Sequence, residues 1–192
     1  MGVLQTMSLP EHLSSEAKAP LAERARAGDN DAFTELVNAY HARLYRYLFA
    51  LVRHPEDASD LTQEVFLKVY KGLSRFNPEK PFEPWLFTIA RRTAMSHFRK
   101  ARKSEPISED NIIHLHGQGS STDSVQERSE SVWELAMQLP PKLHQVLLLH
   151  YKEDFPVVDV ARIMGITKIH TRVLLHRART HLKELHTIQE NA

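Results

Sequence analysis

The sequence predicts an all-α protein of two small helical domains joined by a flexible acidic linker. Three observations predict it. Apolar residues recur every three or four positions through the periodic stretches, the spacing of helices with one buried face. No strand signal of any strength interrupts them. An interval rich in Ser, Thr, Gly and acids, Ser104 to Ser131, divides the periodic residues into two zones. A chain of 192 residues has room for one large or two small domains, and an apolar share of 42% is enough for packed cores.

Residues 1–23 are expected to be a mobile tail, since no sustained period reaches them. Asp29, Asn30 and Asp31 precede the first helix, and any of them can cap it. Its apolar face is Phe33, Leu36, Val37, Tyr40, Leu44, Tyr47, Leu48 and Leu51. His54-Pro55 ends it, because the residue before proline avoids the helical region. A second helix runs from Glu56 to about Leu73. Leu61, Val65, Val69 and Leu73 line one side, with Phe66 and Tyr70 beside them, and Asp57, Asp60, Gln63 and Glu64 make a polar face. Asn77-Pro78 and Lys80-Pro81 mark a loop. Pro84 suits the first turn of a third helix, to about Ala101, with Trp85, Ile89 and Phe98 on its apolar stripe. Short connections between three helices make a bundle over residues 24–103.

In the interval 104–130 the acids are Glu105, Glu109, Asp110, Asp123, Glu127 and Glu130, against Arg128 alone, which reads as an extended linker joining the domains flexibly. A second domain follows over 131–187. Val132 to Leu139 is a short helix stopped by Pro140. Pro141 to Lys152 is another, carrying Leu143, Val146, Leu147 and Tyr151 on one side. Pro156 to Met164 and Lys168 to about His186 complete it, before a tail over 188–192. Gly165 suits the left-handed residue of the turn between these last two helices, and Ala161 is small where they cross. Thr171, Leu175, Ala178, Leu182 and Leu185 form the core stripe of the last helix.

Composition excludes several functions. Twenty-five Lys and Arg face 24 Asp and Glu, so a uniformly basic, histone-like protein is ruled out, although charge can still be segregated along the chain. Without cysteine there is no disulfide framework, thiolate metal site or Cys nucleophile, which fits a reducing cytoplasm. Met1 to Pro20 carry Glu11 and Glu16 and no long apolar block, so they do not read as a signal peptide. The densest apolar run, Val146 to Leu149, is too short to span a bilayer, and no membrane insertion is expected. Twelve His invite a metal, but His114 and His116 fall in the linker, and His176, His181 and His186 are five apart and diverge around a helix. With no H-E-x-x-H, Gly-rich phosphate loop or G-x-S-x-G elbow, neither enzyme, metal nor cofactor is expected.

Two segments carry nucleic-acid chemistry. Arg91 to Lys103 holds Arg91, Arg92, Arg99, Lys100, Arg102 and Lys103 with no acid, and Phe82, Trp85, Phe87 and Phe98 lie near them. Cations neutralise phosphates and aromatic rings stack on unpaired bases, so the pair suits a melted strand. Equally, the rings can be core and the cations a solvated face. The last two helices have helix-turn-helix spacing, leaving Lys168, His170, Arg172, His176, Arg177 and Arg179 for phosphates or base edges. The polar face of Asp57, Asp60, Gln63 and Glu64 is either solvated or a docking surface.

Three blocks together resemble the extracytoplasmic-function (ECF) sigma factors of bacterial RNA polymerase, within the sigma-70 family. Asp57-Ala58-Ser59-Asp60-Leu61-Thr62-Gln63-Glu64-Val65-Phe66-Leu67-Lys68-Val69-Tyr70 is similar to the family's polymerase-docking helix. Phe82-Glu83-Pro84-Trp85-Leu86-Phe87-Thr88-Ile89-Ala90-Arg91, ending in Phe98-Arg99-Lys100, resembles the segment that melts and reads the minus-ten element. Leu139-Pro140-Pro141, Val160-Ala161, Gly165-Ile166-Thr167 and His176-Arg177-Ala178-Arg179 resemble the helix-turn-helix that reads the minus-thirty-five element. The resemblance covers Arg24 to Leu185. It implies sigma region 2 over 24–103 and region 4 over 131–187, core RNA polymerase and promoter DNA as partners, and an anti-sigma factor as a further one. Asp57, Asp60, Gln63 and Glu64 would then dock on the polymerase. Trp85, Arg91, Arg92, Phe98, Arg99 and Lys100 would meet the minus-ten strand, and the helix from Lys168 would enter the minus-thirty-five groove. The chain departs from the family pattern at Arg92, where Asn is usual, at Ser96, where Asp is usual, and at Val173 and Leu174, which put apolar groups where polar contacts are expected. Two other readings stay open on the residues: a sigma-like decoy that sequesters an anti-sigma factor, and a plain helix-turn-helix regulator.

Overall fold

The computed structural model describes residues 15–104 and 132–190, and all the elements among them are helical. The expected linker therefore lies outside the described residues. The expected tail over 1–23 is corrected at its end. Ser15–Arg26 form helix α1, and Leu21, Ala22 and Ala25 are buried against the bundle. Two of those three are alanines, which carry little apolar signal, and Pro20 reads as a break.

Helix α2 spans Asn30–Val52. Asp29 caps it, its Oδ1 accepting the Ala32 N–H at 3.0 Å, while its other oxygen accepts two hydrogen bonds from Arg24 at 2.9 and 2.7 Å. One carboxylate thus fixes both the start of α2 and its angle to α1. Arg53 closes α2 in the left-handed region (φ 63°), donating its N–H to Phe49 O, and His54 is extended as a residue before proline must be. Helix α3 is Pro55–Gly72 and passes into a 3₁₀ turn, Leu73–Arg75. Helix α4, Phe82–Ser104, starts two residues before the expected Pro84. Tyr40, Leu44, Tyr47 and Leu48 of α2 meet Val65 of α3 and Leu86 and Phe87 of α4 in the core of this bundle, all essentially without exposure.

The second half opens with helical residues 132–136 (α5) and continues with α6, Pro141–Leu147. The expected single helix to Lys152 instead widens into a π-helical turn, Leu148–Lys152, sealed by Glu153 N–H to Leu148 O and Phe155 N–H to Leu149 O, both 3.0 Å. Asp154 follows in the left-handed region (φ 57°). Helix α7 is Val157–Met164 and α8 is Lys168–Glu190. Gly165 (φ 69°) ends α7, its own N–H and that of Ile166 returning to Arg162 and Ala161 carbonyls, so the turn uses glycine for the conformation that others resist. Thr167 caps α8, its Oγ1 accepting the His170 N–H at 3.1 Å.

The two halves pack on each other. Helix α4 lies along α7, and Phe87 of the first half meets Phe155 of the second edge-on at 4.9 Å. Buried residues of both halves form one continuous cluster.

Candidate polymerase and nucleic-acid interfaces

The polar face of α3 points outward. Asp60 and Gln63 are exposed, and Asp57 and Glu64 are half-exposed. Glu64 accepts from Lys68 Nζ at 2.7 Å, and Lys68 also donates to Thr93 Oγ1 of α4 at 3.0 Å. Asp57 lies 3.7 Å from both His54 and His97 nitrogens. Helical spacing adds a residue that the sequence reading did not assign: Leu67, at i+7 from Asp60 and i+3 from Glu64, is 60% exposed on the same face. Nothing in one sequence separates such a leucine from the core stripe one position away.

Helix α4 divides its predicted residues between core and surface. Phe82 and Phe87 are core, so they are not stacking platforms. Trp85 is half-buried, its ring 5.0 Å from Phe76 and 5.6 Å from Phe82, against Gly72 where a β-carbon would stand 3.4 Å from the indole. Phe98 is also half-buried. Arg92, Arg99 and Lys100 are exposed, with Arg99 donating to Ser96 Oγ at 2.9 Å. Ser96 thus orients a neighbouring cation. Arg91 turns the other way, its Nε donating to Gln145 Oε1 of the second half at 3.0 Å.

On α8 the charged and imidazole residues lie apart from the core stripe. Thr171, Leu174, Leu175 and Ala178 are buried, whereas Lys168, His170, Arg172, His176, Arg177 and Arg179 are exposed. The expectation for Leu174 is corrected: it is core, because it lies beside Leu175 and one turn before Ala178 on the face toward the domain. Val173 does face outward, 42% exposed, and Ile169, one turn earlier and unassigned by sequence, is 74% exposed. Among the described residues no three His, Asp or Glu side chains converge as a metal site would require, and no helix is long and apolar enough to cross a membrane.

Comparison with known proteins finds two matching regions in this chain. Residues 36–104 match the family model for sigma-70 region 2, and residues 129–182 match that for sigma-70 region 4. The RNA polymerase sigma-H factor of Pseudomonas aeruginosa is 30% identical over 87% of this chain and 92% of its own length. The chain belongs to the ECF sigma factors of the sigma-70 family. The ECF sigma factor BldN of Streptomyces coelicolor is also 30% identical, over 82% of this chain, which spans 61% of BldN's length. Among solved structures, CnrH in complex with the cytosolic domain of CnrY superposes with a TM-score of 0.68 at 20% identity, covering 89% of this chain and 97% of CnrH. RpoE of Bartonella quintana, in complex with the anti-sigma factor NepR, gives 0.65 at 21% identity over 81% of this chain and 97% of RpoE. Both likenesses concern the fold. A sigma factor binds core RNA polymerase and promoter DNA and directs transcription initiation, and the family's members are not enzymes in general.

Proposed function

We propose that this sigma factor divides its work among the three surfaces described, with region 2 spanning 24–103 and region 4 spanning 131–187. Asp57, Asp60, Gln63 and Glu64, with Leu67 among them, dock α3 on core polymerase. Trp85, Arg92, Phe98, Arg99 and Lys100 of α4 hold the unpaired minus-ten strand, where phosphate neutralisation and ring stacking act together, while Arg91, expected among them, is engaged by Gln145. Helix α8 enters the minus-thirty-five major groove, with Lys168, His170, Arg172, His176, Arg177 and Arg179 on phosphates and base edges. The observation that carries this reading is the segregation on α8: its apolar side is buried while six cationic or imidazole side chains face out from a capped helix-turn-helix. The chain acts in the cytoplasm with its polymerase and performs no catalysis itself. An anti-sigma factor is its natural antagonist, by analogy with the RpoE–NepR complex.

Transcript-start mapping on fragmented host DNA, with core polymerase alone and with this protein added, tests the reading. New starts sharing an upstream two-part sequence are expected. No new starts, with the same polymerase active on another sigma factor, would turn the reading toward a decoy for an anti-sigma factor.

A further inference from the structure

Helix α4 turns one stripe of side chains outward. At 3.6 residues per turn, Trp85, Ile89, Arg92, Ser96 and Arg99 fall within about 80° of one another around the axis. Leu86, Phe87, Ala90, Thr93 and Ala94 occupy the other side and are buried. The rotation of the stripe is fixed one residue from Arg92. The Thr93 hydroxyl accepts from Lys68 Nζ of α3 at 3.0 Å, and the same nitrogen is held by Glu64 at 2.7 Å. Arg91 points elsewhere, to Gln145.

Along the stripe the chemistry changes. Trp85 and Ile89 make a half-buried apolar end, with the indole held by the Phe76 and Phe82 rings at 5.0 and 5.6 Å. Arg99 and its neighbour Lys100 make a cationic end, where Ser96 Oγ accepts from Arg99 Nη2 at 2.9 Å and so occupies part of that fork. Arg92 stands at the junction, about 4.5 Å along the axis from Ile89 and about 10 Å from Arg99 at ~1.5 Å per residue. It is exposed, and no hydrogen bond, ion pair or ring contact engages it among the described residues. A nucleotide has the same division, a flat base at one end and a charged phosphate at the other. With the phosphate toward Arg99 and Lys100 and the base over Trp85 and Ile89, the free fork of Arg92 meets the edge of the base. A guanidinium carries donors only, so it matches two acceptors side by side. Guanine offers O6 and N7 in that arrangement. Adenine sets an amino donor beside N7, thymine offers O4 alone, and cytosine presents an amino group. Asparagine, usual at this position in the family pattern, has the donor and acceptor that suit adenine; Arg92 replaces them with the pair of donors that suits guanine.

We propose that Arg92 makes this sigma factor selective for an unpaired guanine in the minus-ten strand. The selectivity rests on the functional reading above, which puts that strand on α4. Holoenzyme formed with core polymerase is titrated with a promoter found by start mapping and rebuilt with its minus-ten strand held open by mismatches, each open position carrying each of the four bases in turn. One position should favour guanine by about tenfold in affinity over the other three, within the range of one bidentate pair. There 7-deazaguanine, which keeps the shape of guanine and lacks the N7 acceptor, should lose most of that factor. Arg92→Lys keeps the charge without the fork, so it should lose the guanine preference and keep the slope of log affinity against log salt. Arg92→Asn should move the preference to adenine. Each preference is a ratio within one protein, so a general loss of binding in a variant cancels. No guanine-preferring position, a preference for cytosine in its place, or a guanine preference that survives in both variants overturns the inference. So does an Arg92→Ala that weakens all sequences equally and reduces the salt slope by about 0.7, the share of one phosphate on a single strand. In those cases a holoenzyme that still initiates at the promoter upholds the functional reading. A holoenzyme that yields no transcripts and binds none of the open promoters overturns that reading, and the guanine preference with it.

Discussion

Ile169 and Val173 stand one turn apart on the outward face of α8, next in sequence to Lys168 and Arg172 respectively. They cannot hydrogen-bond a base edge, but a thymine C5-methyl is an apolar group displayed in the major groove. The two kinds of neighbour should separate experimentally on a minus-thirty-five duplex. Arg172→Ala should weaken binding on all sequences and reduce the salt slope by about one phosphate's worth, ~0.9 in log K against log salt. Val173→Ala should leave the slope alone and remove sensitivity to replacing thymine by uracil, a sensitivity of about 1 kcal/mol or less in the unsubstituted protein for one methyl. Filter binding across salt checks both; an unchanged slope in Arg172→Ala would misassign the helix. At this scale the sequence was legible for charged residues, whose exposure follows from desolvation cost. It was not legible for Leu174 against Val173, adjacent apolar residues that 100° of helix separates into core and surface.

Single helices were legible where an apolar stripe was long. The α2 and α3 stripes reappear as buried faces, and the turn at Gly165 has the conformation its glycine implied. Helix α1 was missed because alanine supplies most of its contact, and the π-helical turn because one extra residue in a turn leaves no periodic trace over five positions. The outward face of α3 carries the prediction at this scale. Asp60 and Gln63 touch no core, so Asp60→Ala with Gln63→Ala should weaken polymerase binding while leaving the melting temperature within about a degree or two, as for other exposed substitutions. Leu67→Asp should weaken it further, by about tenfold or more, since an apolar side chain on a docking face contributes roughly 1.5–3 kcal/mol when buried. Surface-plasmon titration of core polymerase checks both, and undiminished binding in both variants would remove α3 from the interface.

The contact between the halves was invisible in the sequence for a physical reason. Arg43 and Glu153 are 110 residues apart, and no periodicity links positions that meet only after both domains have folded. The flexible joining expected from the acidic stretch concerns residues outside those described, whereas the halves themselves meet through a packed seam. That seam bears on the stability of the whole molecule through His144. Burial, then Arg53 across the seam, then Lys152, lower its pKa to about 4. The unfolded chain takes up this proton near pH 6.5, while the folded chain refuses it until about pH 4. Stability is therefore lost as pH falls through that window, by about 2 kcal/mol at pH 5, or about 4–8 °C in melting temperature. Glu153 acts in the opposite sense. Its raised carboxyl takes up a proton more readily when folded, so its burial penalty fades as pH falls. The two are separable because only one is removed in His144→Leu. That variant should lose less stability between pH 7.5 and pH 5 than the unsubstituted chain, by about the 2 kcal/mol that His144 contributes. Calorimetry at both pH values measures the difference. Parallel losses in the two proteins would mean that His144 is hydrated in solution, and that the seam beside it is open.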